Sequence, residues 1–146
     1  MTRAIQLSSS PASRLLMHAL SFLLAIALLA LGMAGIPAAA STEDLRAIVM
    51  PGIFFGGAVL IASLYAIKEP RHGLAGAAFL VFLSFLTNFA TLIGAVTGGT
   101  YAWSRHEHRI ATLVLLLSTF YLGAALRSWK QARKARIIAE LENGTG

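Results

Sequence analysis

Cysteine is absent from the 146-residue chain, which excludes disulfides, thiolate catalysis and cysteine-based metal sites. Charge is scarce as well. Charged residues make up 12%, against roughly a quarter in a soluble domain, and only 6 of them are acids. No acid falls in any long apolar run, which argues against a proton pump built on Asp or Glu relays. The chain also lacks a G-x-S-x-G elbow, a P-loop, a dinucleotide fingerprint, an H-E-x-x-H pair and any Ser/His/Asp set at a suggestive spacing. These absences point away from an enzyme and imply no cofactor.

What is present is apolar: 57% hydrophobic residues and a mean hydropathy of +0.73. Crossing the hydrocarbon core of a bilayer takes about 20 such residues in a helix. Four runs qualify or nearly do: Leu15–Ile36, Ala47–Ile67, Leu74–Val96 and Ile110–Leu126. None alternates as a membrane strand would. The expectation is an all-α, integral membrane, antiparallel four-helix bundle forming one domain over residues 1–146, with a basic tail at 127–146.

Local signals set the boundaries. Ser10-Pro11 reads as a cap followed by proline at the first helical position. Pro37 cannot continue the first helix, which should end near Gly35. Thr42 is placed to cap the second helix, with Glu43 and Asp44 in its first turn. Glu69-Pro70 ends that helix, Arg71–Gly73 opens the third, and Gly98-Gly99 closes it. Ala38-Ala39-Ala40 before Ser41 also resembles a signal-peptide cleavage site. The apolar run ahead of it is longer than the roughly 7–15 residues of a signal core, so the reading of a first span is preferred.

The net charge of +6 would suggest nucleic acid in a soluble chain. Here the basic residues flank the spans, and no nucleic-acid partner is expected. Arg3, Arg14, Lys68, Arg71, Arg127, Lys130, Arg133, Lys134 and Arg136 fall on one side of the membrane, and Arg46, Arg105 and Arg109 on the other. The excess predicts a bacterial inner-membrane protein with both termini cytoplasmic. Arg127, Lys130, Arg133, Lys134 and Arg136 follow the fourth span beside Trp129, as a cluster attracted to anionic lipid would. Asn143-Gly144-Thr145 matches a glycosylation sequon that a cytoplasmic tail cannot use.

Two G-x-x-x-G motifs, Gly52/Gly56 and Gly94/Gly98, lie in spans, with Gly32 and Gly35 on the first helix. Small residues let helix backbones approach in lipid. They serve either the bundle itself or a homo-oligomer or membrane-protein partner. Pro51 should break the start of the second helix, because it cannot donate to the carbonyl of Ala47. Arg46 lies just before it, within one helical step of Glu43. Ser84, Thr87, Asn88, Thr91, Ala95 and Gly98 are linked by spacings of three or four and read as one polar stripe. Asn88 is expected to find an interhelical partner. Arg105–Arg109 contains His106, Glu107 and His108. A strand-like His106/His108 pair has ligand chemistry, but two flanking arginines oppose a cation, and no metal is expected. Glu107 is a candidate to cap the fourth helix or pair with Arg46. His18 is read as a lone interfacial histidine.

Gly35-Ile36-Pro37-Ala38-Ala39-Ala40, Leu45-Arg46-Ala47 and Gly52-Ile53-Phe54-Phe55-Gly56-Gly57, with Gly98-Gly99 ending the third helix, form a layout. It resembles the small bacterial four-helix membrane proteins of a domain-of-unknown-function family, loosely DoxX-like. The resemblance implies four transmembrane helices and no settled activity. The residues suggest an accessory or interaction subunit acting through helix packing. An alternative is a binder or transporter of a lipid-like or small polar molecule, using Arg46, Pro51, Asn88, His106 and Glu107. A membrane enzyme ranks third.

Overall fold

The computed structural model describes residues 11–144. Arg3, the cap expected at Ser10 and Thr145 of the sequon lie outside them, as do the side chains of Arg14, Arg136 and Asn143. All regular structure among the described residues is helical. Four helices are long and apolar enough to cross a membrane.

Helix α1 spans Pro11–Gly35 and gives way to a single 3-10 turn, Ile36–Ala38, at Pro37. Helix α2 runs over Thr42–Lys68. Its cap is Ser41, one residue before the expected Thr42. The Ser41 hydroxyl accepts from the Asp44 amide at 3.1 Å, and the Asp44 carboxylate accepts from the Ser41 amide at 3.1 Å. Reciprocity needs a three-residue spacing, and Ser41/Asp44 supplies it. The break at Pro51 takes the form of a π-turn over Leu45–Val49. The wider turn accommodates the proline without ending the helix.

Helix α3, Pro70–Thr97, begins one residue earlier than Arg71. Pro70 occupies the first turn, where a missing N–H costs nothing. Only Glu69 separates it from α2, and Gly73 lies directly against Ala66, leaving no room for a Cβ. At the other end Gly99 adopts φ +65°. Its amide bonds Val96 O at 3.1 Å, and the Thr100 amide bonds Ala95 O at 2.9 Å. This pair of bonds is a Schellman termination, which needs a left-handed residue after the cap. Helix α4 is His106–Gly144. The segment after Leu126, expected as a tail, continues the same helix, whose 39 residues reach roughly 58 Å at 1.5 Å per residue.

Consecutive helices pack on one another and α4 returns to α1, closing a ring of four. Gly32 faces Gly52, Leu29 faces Gly56 and Gly35 faces Ile48. The numbering rises on one helix as it falls on the other, so α1 and α2 are antiparallel. Much of the interior is built of small residues, with Leu28, Leu24, Met17 and Tyr121 among the larger side chains enclosed there. Ala25, Ala66, Ala77, Val59, Val81 and Val114 are fully buried, as is one serine per helix: Ser21, Ser63, Ser84 and Ser118. Large side chains such as Leu23, Ile61, Phe79, Leu116 and Phe120 are exposed. This inverts a water-soluble core. It suits hydrocarbon surroundings, where burying Leu or Phe brings no solvent gain and close backbone packing does the work.

Candidate functional site

Three polar regions emerge from this frame. The first is the end of the bundle that holds the α3–α4 connection. His108, in the first turn of α4, is 3% exposed. The Ala102 amide donates to its Nδ1 at 3.1 Å. The same Nδ1 lies 3.2 Å from the Ala102 carbonyl oxygen, so both backbone polar groups of Ala102 face one ring nitrogen, while Nε2 faces Glu107 Oε1 at 3.5 Å. Tyr101 stacks on the imidazole, with ring centroids 5.2 Å apart. His108 therefore pins the connection to the bundle. Glu107 also accepts from Arg105 Nη1 at 3.0 Å, so its observed partners are local and not Arg46. Arg109 Nη2 donates to His106 Nδ1 at 2.6 Å. The strand-like His106/His108 pairing is not adopted, because both residues start α4 and positions two apart on a helix diverge.

Arg46 lies in the π-turn with an exposed side chain and makes no ion pair among the described residues. The expected link to Glu43 does not form. Pro51 is half-buried beside buried Gly52. Asn88 is 2% exposed, and its amide nitrogen donates to Ser84 O, in its own helix, at 2.8 Å. Among the described residues no hydrogen bond or ion pair joins Arg46 or Asn88 to His106 or Glu107.

The second region is the interior. Ser21 donates to Met17 O at 2.9 Å, and its Oγ lies 2.8 Å from the Tyr121 hydroxyl. Serine has one proton to give, so Tyr121 donates across the α1–α4 interface. His18 Nε2 donates to Ala66 O at 2.9 Å, tying α1 to the last turns of α2. Ser63 bonds back to Val59 O at 2.8 Å. Ser84 Oγ and Ser118 Oγ are buried without a partner. The sequence singles out His18 and Ser84, but not the buried serines as a set or the partners of His18 and Tyr121. The available signal was the seven-residue step from Gly56 to Ser63, Ala77 to Ser84 and Ala111 to Ser118, which keeps each serine on the face of its small neighbour.

The third region is the outer surface. The stripe expected on α3 splits in two. Ser84, Asn88 and Ala95 face inward, while Thr87, Thr91 and Gly98 are exposed, as is Gly94 beside them. The set holds two rows, 84/88/95 and 87/91/98, each stepping by four and then seven, and the three-residue offset turns the second row about 60° from the first, across the edge of the buried face. Thr87 and Thr91 bond back to Leu83 O and Thr87 O at 2.9 and 3.0 Å, so their hydroxyls are satisfied. The two glycine motifs also differ. A Cβ on Gly56 would lie 2.8 Å from the amide nitrogen of Leu29, whereas one on Gly94 would meet nothing within 4 Å. Farther along the surface, Gly123, Leu126, Arg127, Lys130, Gln131 and Lys134 line a groove of about 410 Å³ on α4. Arg133 instead lies over the Trp129 ring, 5.8 Å from its centroid.

No family model, curated protein or solved structure matches the chain.

Proposed function

We propose that this protein is an accessory subunit of a bacterial inner membrane that acts by packing α3 against a transmembrane helix of a second copy or of another membrane protein. The observation carrying this reading is the open Gly94, on a face shared with exposed Thr87, Thr91 and Gly98. Gly52 and Gly56 are consumed inside the bundle, whereas this surface is small, self-satisfied and unpartnered. Lipid chains fill such a flat face poorly, and another helix can approach it to backbone contact. The resemblance of the layout to small four-helix membrane proteins, loosely DoxX-like, is in keeping with this reading.

The absence of native cysteine makes the test clean. Gly94→Cys or Thr91→Cys in native membranes should give an oxidation-dependent adduct, either a doubled chain or a heterologous complex. Phe120→Cys, on exposed surface of α4, should give none. Equal yields at all three positions would remove the proposal. The reading places both termini in the cytoplasm and the α3–α4 connection outside. Alkaline phosphatase should be inactive when fused after Gly146 and active when fused within 101–104. The reverse pattern would invert the orientation.

A further inference from the structure

The groove on α4 joins two chemistries along one line. Gly123, Arg127, Lys130 and Lys134 succeed one another at steps of four, three and four, which stacks them on a single helical face. Gly123 and the exposed Leu126 belong to the last turns of the apolar run, and the cations begin at Arg127. A Cβ on Gly123 would meet nothing within 4 Å, so the missing side chain leaves a notch at the apolar end. Because the helix continues unbroken through this region, the cations hold fixed spacing. None of Arg127, Lys130 and Lys134 makes an ion pair among the described residues. Gln131 adds an amide to the same wall.

We infer that this groove is a discrete site for one anionic glycerophospholipid. Its phosphate lies among Arg127, Lys130 and Lys134, and the top of an acyl chain lies in the Gly123 notch against Leu126. Column length supports the fit. Gly123 to Lys134 covers roughly 16 Å along the axis, enough to run from the edge of the hydrocarbon through a headgroup layer of several ångströms. Arginine and lysine both suit phosphate oxygens, arginine by its fork and lysine as a point charge. A zwitterionic lipid would bring its own cation into a groove that already holds three. A free anion would leave the apolar half empty. Arg133, engaged with Trp129, does not line the groove.

The test uses the full chain, purified in detergent and titrated with phosphatidylglycerol, with bound lipid counted by native mass spectrometry. One tightly held lipid per chain is expected. Lys130→Gln and Lys134→Gln should each weaken binding about fivefold, the factor for one surface charge. Gly123→Leu should weaken it comparably at unchanged charge, and Arg133→Gln should change it by less than about twofold, because only the groove is a site. Circular dichroism and elution volume should match the parent for each variant. Several outcomes would overturn the site. They are full binding by Gly123→Leu, an Arg133→Gln loss equal to that of Lys130→Gln, and equal retention of phosphatidylcholine. Displacement by inorganic phosphate at the same concentration would likewise overturn the lipid assignment.

Discussion

Gly32 of α1 and Gly52 of α2 meet backbone to backbone, and a methyl carbon on Gly52 would lie 2.5 Å from both the Cα and the nitrogen of Gly32. Nothing flexible stands in the way to yield. The contact is flanked by Leu29 against Gly56 and Ile48 against Gly35, so one side of each helix is set by what glycine omits. In lipid this contact area holds α1 and α2 together by dispersion, beside the His18–Ala66 hydrogen bond near the other end of the pair.

Gly52→Val should therefore destabilise the bundle by about 1–3 kcal/mol or more, as overpacking does, lowering the unfolding midpoint in mixed micelles. Gly94→Val should leave the midpoint of the isolated protein within about 0.5 kcal/mol, the scale of surface changes. Similar losses at both glycines would contradict the assignment of one motif to the interior and the other to the surface.

Tyr121 donates to Ser21 across α1 and α4. A double-mutant cycle of Ser21→Ala and Tyr121→Phe should yield a favourable coupling near the average of about 0.6 kcal/mol for hydrogen bonds between membrane helices. Strict additivity of the two single changes would show that the bond is not formed.

Ser84 and Ser118 carry buried hydroxyls with no partner, while the equally buried Ser63 is bonded to Val59 O. An unsatisfied buried hydroxyl costs about 1–3 kcal/mol. Ser84→Ala and Ser118→Ala should be neutral or raise the unfolding midpoint. A drop of a kcal/mol or more would mean that a partner group or water occupies that space.

His108 holds the α3–α4 connection through the Ala102 amide and the Tyr101 ring. Replacement with alanine should speed hydrogen exchange of the Ala102 amide by roughly tenfold, the scale of one lost hydrogen bond with its packing. The helical amides of α2 should be unaffected. Unchanged exchange at Ala102 would show that the connection is held some other way.

Much of the fold is legible in sequence because its causes are local. An apolar run of span length with almost no charge has one comfortable environment, and Pro37, Glu69-Pro70 and Gly98-Gly99 punctuate it through backbone sterics that depend on no distant residue. The proline break before Gly52 follows from the same covalent constraint, although its form, a π-turn that keeps the helix running, depends on the packing around it. The cap shifted by one residue, from Thr42 to Ser41, because two neighbouring hydroxyls were both eligible and only three-dimensional reciprocity with Asp44 chose between them. The continuation of α4 past Leu126 was hidden because hydropathy marks where a span leaves lipid, and helical structure is free to continue beyond that point.

The sequence alone determined the four-helix membrane class, the loop positions and the residue types on hand, since solvent preference and backbone sterics act residue by residue. Only the tertiary structure decided which face of each helix is used. Gly52 and Gly94 stand in equivalent motifs, yet one is pressed against Gly32 and the other is open. His18 and Tyr121 acquired partners 48 and 100 residues away, and the polar stripe of α3 divided between interior and surface. All these outcomes depend on how each helix is rotated about its axis. The rotation follows from the joint fit of four packed surfaces, and in a span that is apolar all round, periodicity has almost no contrast with which to report it.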